Sequence, residues 1–120
     1  MQPDSSQGYY RLGFTLYLQK KYTQAIAQYT KAIEKRKDFD ELYYWRGMAY
    51  YVLKDYKSTI TDLDKAEMLN KMKYNLIGIY ITRSFAKSFL GDKQGECEDL
   101  HKAANLGQEE AKKKYLKKCL

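Results

Sequence analysis

From Tyr9 onward the apolar side chains fall at Tyr9, Leu12, Gly13, Leu16 and Tyr17, steps that place them on one face of a helix. A second set, Tyr22, Ala25, Ile26, Tyr29, Ala32 and Ile33, keeps the same rhythm. Lys20-Lys21 interrupts the stripe between them, and Lys54-Asp55 and Gly91-Asp92 interrupt later ones. The pattern predicts a helix, a tight turn and a second helix running back antiparallel. Asp4 with Gln7, and Asp38 with Glu41, have capping-box spacing and predict the starts of two first helices.

The hairpin recurs. Tyr9-Tyr10 and Gly13 return 34 residues later as Tyr43-Tyr44 and Gly47. Tyr17 repeats as Tyr51, Tyr22 as Tyr56, Ile26 as Ile60, and Lys31-Ala32 as Lys65-Ala66. A fixed period of this length signals a repeat architecture, whose stacked units offer an extended surface rather than an enclosed chamber. Gly13 and Ala32 are expected where paired helices approach too closely for a larger side chain. Tyr22 and Tyr56, just past the turns, are expected to wedge a ring under each hairpin.

The large residue ahead of Leu12-Gly13, followed by Tyr22, Ala25, Tyr29 and Ala32, resembles the tetratricopeptide repeat. A second unit is similar through Tyr43, Gly47, Tyr50, Tyr56, Leu63 and Ala66. A third is similar through Tyr80, Ala86, Leu90-Gly91-Asp92, Leu100 and Lys102-Ala103-Ala104. The tail, as far as Glu110-Ala111, is similar to the last repeat of short bacterial members, particularly those of Bacteroidetes. The resemblance covers about residues 7–111. It implies an all-α, right-handed solenoid of three tetratricopeptide hairpins with a C-terminal capping helix. That makes one domain over 1–120, with repeats at about 6–39, 40–73 and 74–107 and the cap at about 108–120.

The third unit departs from the other two. It aligns with the second only at an offset of 37, which places extra residues near Asn70 to Asn75. Lys37 and Lys71 stand where a proline often ends the repeat, and Ser84 replaces the glycine. Thr59 and Glu96 take positions usually held by small residues. A glutamate at a helix–helix contact is costly unless it reaches water or a partner, which points to a looser or shifted third hairpin.

Composition narrows the functional classes. One proline and seven glycines in 120 residues argue against sheet-rich or disordered alternatives. No apolar run reaches the roughly 18 residues of a membrane span. No secretory leader is recognisable at the N-terminus, a removed leader or a larger parent protein stays open, and the cytoplasm is slightly favoured. Cys97 and Cys119 are expected as reduced, small apolar residues, with a disulfide pinning the last helix as the alternative. With the lone His101 they fall short of a zinc ligand set. No phosphate loop, nucleophile elbow or paired His-Glu motif is present, so neither an enzyme nor a cofactor is expected.

The remaining signal is a second stripe on the first helix of each unit. It comprises Tyr10, Phe14 and Tyr17, then Tyr44, Met48 and Tyr51, then Ile81 and Phe85, and it ends at Ser88. Leu18, Val52 and Phe89 flank it. In the resembling family this stripe lines the concave groove, and an aromatic groove suits a peptide or partner surface. The bland alternative is that these rings only pack between helices. Tyr44 and Met48, in the middle unit, should be least affected by the ends. Burying the same face in a homo-oligomer is the competing function.

The chaperone-binding subgroup of the family grips a terminal carboxylate with Lys and Asn. At those positions stand Tyr10 and Phe14, then Trp45 and Tyr44, so capture of chaperone tails is not expected. The net charge of +7 raises nucleic acid, an acidic protein or a membrane surface as lesser candidates. However, the lysines from Lys112 to Lys118 follow Glu109-Glu110 in the order the helix dipole favours. Ala111, Tyr115 and Cys119, spaced by four, should dock that helix on the last hairpin.

Overall fold

A computed structural model describes residues 6–70 and 75–120. It contains the helices α1 (Ser6–Leu18), α2 (Tyr22–Lys35), α3 (Asp40–Val52), α4 (Tyr56–Leu69), α5 (Leu76–Phe89), α6 (Lys93–Asn105) and α7 (Glu109–Lys118). They fall into two compact units, residues 1–70 with α1 to α4 and residues 71–120 with α5 to α7. The expected extra residues near Asn70 to Asn75 lie mostly outside the described residues, as does Asp4.

In the first unit α1 packs on α2, α2 on α3 and α3 on α4. Ala25, Tyr29, Ala32 and Leu42 are fully buried at its centre. Gly13 is the close approach: a Cβ there would stand 2.9 Å from the ring of Tyr29. Gly13→Ala is expected to cost about 1–3 kcal/mol through overpacking, against the roughly 1 kcal/mol by which alanine is the better helix former. The Tyr29 hydroxyl is buried without a hydrogen-bond partner. Tyr29→Phe should therefore leave the denaturation midpoint unchanged or raise it. Loss of more than about 1 kcal/mol would mean that the hydroxyl is bonded.

The turns inside the three hairpins are built alike, and the turn from α6 to α7 repeats them at Gly107. Lys20, Lys54 and Gly91 each adopt the left-handed conformation, at φ 63°, 65° and 80°. The Lys20 N–H donates to the Tyr17 carbonyl at 2.9 Å and the Lys21 N–H to Leu16 at 2.8 Å. The same two bonds recur from Lys54 and Asp55, and from Gly91 and Asp92. This paired pattern closes a helix C-terminus, and glycine is the residue that adopts it without strain. Asp55 and Asp92 then cap the following helices by accepting from the Ser58 and Gly95 N–H groups. Tyr22 and Tyr56 set their rings against Tyr17 and Tyr51, at 5.3 and 5.8 Å between centroids.

The capping box expected from Asp38 and Glu41 does not form. The helix starts one residue later than that box would place it, with Phe39 at the cap position and no side-chain cap bond. Asp38 instead accepts from Arg36 Nε at 3.3 Å, and Glu41 is engaged elsewhere.

In the second unit α5 packs on α6, and α6 on α7. Leu100, Ala103 and Ala111 form the buried centre, joined by Tyr80, Ile81, Tyr115 and Cys119. Glu96 is buried on α6 and does find a partner, accepting from Lys118 Nζ of α7 at 2.7 Å. The exception to that cost, a partner for the carboxylate, is therefore met within the unit itself.

Cys97 and Cys119 are joined in a disulfide, which corrects the expectation of two reduced cysteines. Docking of Ala111 and Tyr115 on α6 carries Cys119 to a Cα–Cα separation of 5.8 Å from Cys97, inside the range a disulfide needs.

Each unit also carries a buried ion pair. Arg46 donates to both carboxylate oxygens of Asp62 at 2.8 Å and to the Thr30 hydroxyl at 3.1 Å. In the second unit Arg83 grips Asp99 in the same two-point manner, at 2.9 and 2.8 Å, and Lys87 Nζ joins at 3.0 Å. Both pairs tie the two helices of their hairpin together.

Candidate functional site

The residues of the expected binding stripe fall into both units. In the first, α1 supplies Tyr10, Phe14 and Tyr17, and α3 supplies Tyr44. The hub that gathers them is Trp45, noted in the sequence only as a position lacking a carboxylate-gripping residue. Phe14, Tyr17 and Tyr44 each meet its indole edge-on, at 5.1, 5.3 and 5.1 Å between centroids. Tyr10 lies against Phe14 at 6.5 Å and against Phe39 at 5.5 Å. Edge-to-face pairs of this kind add about 0.5–1.5 kcal/mol each beyond burial, which holds the face rigid.

Glu41 is the polar centre of this cluster. Its Oε1 accepts from the Tyr10 hydroxyl at 3.2 Å and from Trp45 Nε1 at 3.1 Å, tying α1 to α3. The sequence carried a signal for it, since Glu41 and Trp45 are four apart on one helical face. The arrangement presents rings with a carboxylate among them and contains no nucleophile–base pair.

Not every stripe residue is open. Tyr44, expected to be a leading contact, is only 9% exposed, so it forms the wall of the cluster rather than its open surface. Tyr10, Phe14, Tyr17, Met48 and Tyr51 are half-buried. Tyr51 turns toward Tyr56, away from the Trp45 hub. In the second unit Ile81 packs on the Leu100 core, and Phe85 lies beneath Lys114 Nζ at 3.9 Å from its ring centroid. Leu18, Val52 and Phe89, expected to flank the stripe, are exposed.

Burial, with help from Glu41, pushes the Tyr10 phenol up to about 12, and burial raises Tyr29, Tyr17 and Tyr44 as well. These groups keep their protons in the folded state at a pH where the unfolded chain releases them. Their contribution to stability is whole below about pH 10 and falls as pH rises from there toward 12. The share of tyrosinate absorbance that these four rings contribute should therefore lag that of free tyrosine and appear together with loss of helical circular dichroism. Full titration near pH 10 with the helices intact would contradict this.

Elsewhere in the first unit, a hollow of about 410 Å³ is lined by Tyr43, Arg46, Asp62, Lys65 and Met68 among others, and includes no stripe residue. The charged pair inside it is mutually satisfied. Among the described residues no group of three or more His, Cys, Asp or Glu is placed to hold a metal ion. No described helix is long and apolar enough to cross a membrane.

Residues 15–54 match the family profile described as TPR repeat. The chain carries tetratricopeptide repeats. It is similar to Hsc70-interacting proteins 1 and 2 of Drosophila melanogaster, at 37% identity over 101 residues and 84% of this chain. The tetratricopeptide chain spans about a quarter, 26%, of the length of those relatives. Its fold is similar to the first TPR of Spaghetti (RPAP3) bound to an HSP90 peptide, with a TM-score of 0.82 and 24% identity over 98% of this chain and 92% of that one. It is also similar to the second TPR domain of human RPAP3 in complex with an HSP70 peptide. There the TM-score is 0.79 at 25% identity, over 91% and 90% of the two chains. The fold class is all-α, built of tetratricopeptide hairpins.

Proposed function

We propose that this tetratricopeptide chain is an adaptor that binds an extended or helical peptide segment of a partner on its aromatic stripe. The single observation that carries the proposal is the cluster around Trp45. Phe14, Tyr17 and Tyr10 are half-buried, held in fixed edge-on contacts, and leave part of each ring to solvent. Rigid aromatic surface gives large contact area at low entropic cost. The names of the relatives, which interact with Hsc70 or are solved with HSP90 and HSP70 peptides, support a peptide as the ligand. The repeats at about 6–39, 40–73 and 74–107 with the cap at 108–120 are part of the same proposal.

The chemistry of the face also says which ligand it disfavours. A terminal carboxylate brought to Tyr10 and Trp45 would meet the carboxylate of Glu41. Like charges at a partly desolvated site repel, so this face suits an apolar segment bringing hydrogen-bond donors. A chaperone tail would need a different surface.

Peptides selected from a display library with the intact chain provide the test. Tyr17→Ala with Met48→Ala, both half-buried, should weaken the selected peptides at least about tenfold, or 1.4 kcal/mol, with helical circular dichroism intact. Equal affinity of wild type and double variant would remove the stripe from the binding account.

A further inference from the structure

At both hairpin turns of the first unit, aliphatic side chains stand in solvent among lysines. α1 ends on Leu18, 65% exposed, and α3 ends on Val52 with Leu53 after it, 43% and 45% exposed. Lys20 and Lys21 follow in the first turn, Lys54 and Lys57 in and just after the second, all four exposed. Because α2 returns between α1 and α3, both turns lie at the same end of the unit.

The lysines are the informative residues. Lys20 and Lys54 hold the left-handed conformation, at φ 63° and 65°, where the third hairpin uses Gly91. Glycine takes that backbone without strain, so a lysine in its place costs the fold. No ion pair offsets the cost, since none of the four lysines has a carboxylate partner among the described residues. Asp55, the carboxylate in the second turn, is committed to the Ser58 N–H and hydroxyl. At the opposite end of the unit Lys35, Arg36 and Lys37 are balanced by Asp38, Asp40 and Glu41. The unpaired positive charge is therefore gathered where the aliphatic side chains emerge.

That combination suits an anionic bilayer surface. Aliphatic groups enter the boundary between headgroups and acyl chains, and lysines meet the headgroup charge. Tyr22 and Tyr56, half-buried beside the turns, bring the amphipathic rings that settle at such a boundary. Nucleic acid would use the lysines but gain nothing from leucine and valine, and a single strand would ask for open stacking rings. The tips are also fixed beforehand, since paired backbone bonds close each turn and Asp55 caps α4. Little order is then lost on docking. The second unit repeats the combination by itself, with Phe89 and Leu90 exposed ahead of Lys93.

We propose that the turn end of the first unit docks on an anionic lipid bilayer, with Leu18, Val52 and Leu53 entering the headgroup boundary and the four lysines pairing with lipid anions. These residues adjoin the aromatic stripe but include none of its members, and the inference stands apart from peptide binding.

The test uses the full chain and two probes, vesicles of phosphatidylcholine alone and vesicles of phosphatidylcholine with phosphatidylserine. Co-sedimentation should show at least tenfold tighter binding to the mixed vesicles, weakening as salt is raised. Lys20→Gly with Lys54→Gly should weaken that binding at least tenfold, while relief of the left-handed strain holds or raises the urea midpoint. Lys35→Gln with Lys37→Gln, an equal charge change at the other end of the unit, should alter it less than threefold. Leu18→Ser with Leu53→Ser, which changes no charge, should also weaken it at least tenfold with helical circular dichroism intact. No binding to the mixed vesicles, or equal losses in the two lysine variants, would overturn the proposal. So would a single-stranded oligonucleotide that displaces the protein from vesicles and binds the leucine variant as tightly as wild type. Lys20→Gly with Lys54→Gly should keep its affinity for library-selected peptides within threefold, so failure here and failure of the aromatic face read out separately.

Discussion

Asp99→Ala is expected to destabilise the second unit by about 3–5 kcal/mol, the range for removing one partner of a buried ion pair. Asp99 is fully buried and serves two cations at once, Arg83 through two hydrogen bonds and Lys87 through an ion pair at 3.0 Å. Without the carboxylate, two desolvated positive charges lose the group they share. The loss should appear as a lower urea midpoint at an unchanged slope. The comparison that isolates the charge effect is the double change Arg83→Met with Asp99→Leu, which removes both partners of the two-point contact. It should cost less than Asp99→Ala, because a buried pair replaced by packed apolar groups is often close to neutral. An Asp99→Ala loss below about 1 kcal/mol would mean that the pair is solvated and contributes little.

Opening the Cys97–Cys119 disulfide should cost the second unit about 3 kcal/mol, from the chain entropy regained by a loop of 22 residues. Cys97→Ser with Cys119→Ser is the clean form of the experiment, since it leaves no thiol to re-form the bond. The effect should be concentrated in α7. Amide exchange of Tyr115 to Lys118 should rise toward that of a frayed terminus, while α3 and α4 stay protected. Equal exchange in both forms would mean that Ala111, Tyr115 and the Lys118–Glu96 pair suffice to hold the helix.

The hairpins were legible in the sequence because a 3.6-residue rhythm and a repeating turn act locally. Gly13 against Tyr29, the rings of Tyr22 and Tyr56, and the docking stripe Ala111, Tyr115 and Cys119 all lie where the periodicity puts them. The ion pairs have a sequence signature as well. Arg46 and Asp62 recur as Arg83 and Asp99 with the same separation of 16 in sequence. The first hairpin has Leu12 and Gln28 at the corresponding places and no such pair.

What was not legible depends on where side chains turn and on distances the chain sets only after folding. Trp45 becomes the hub because its indole turns toward α1, a rotamer choice that spacing does not reveal. Glu41 was assigned to a helix cap, but two ring donors on α1 and α3 compete for its carboxylate and hold it. The disulfide depends on how closely α7 docks on α6, and the spacing of Cys97 and Cys119 carries no such distance. Tyr44 shares a stripe with Tyr51 yet is buried while Tyr51 is not, because helical spacing fixes direction and not cover.

Trp45 offers the most direct measurement of the central proposal, since it is the single tryptophan of the chain and sits at the centre of the aromatic face. Titrating a library-selected peptide should shift the emission of Trp45 saturably, with the same midpoint as binding measured independently. The midpoint should move at least tenfold in Tyr17→Ala with Met48→Ala. A peptide that binds tightly while Trp45 emission stays unchanged, in wild type and variant alike, would place the interaction elsewhere and contradict the account.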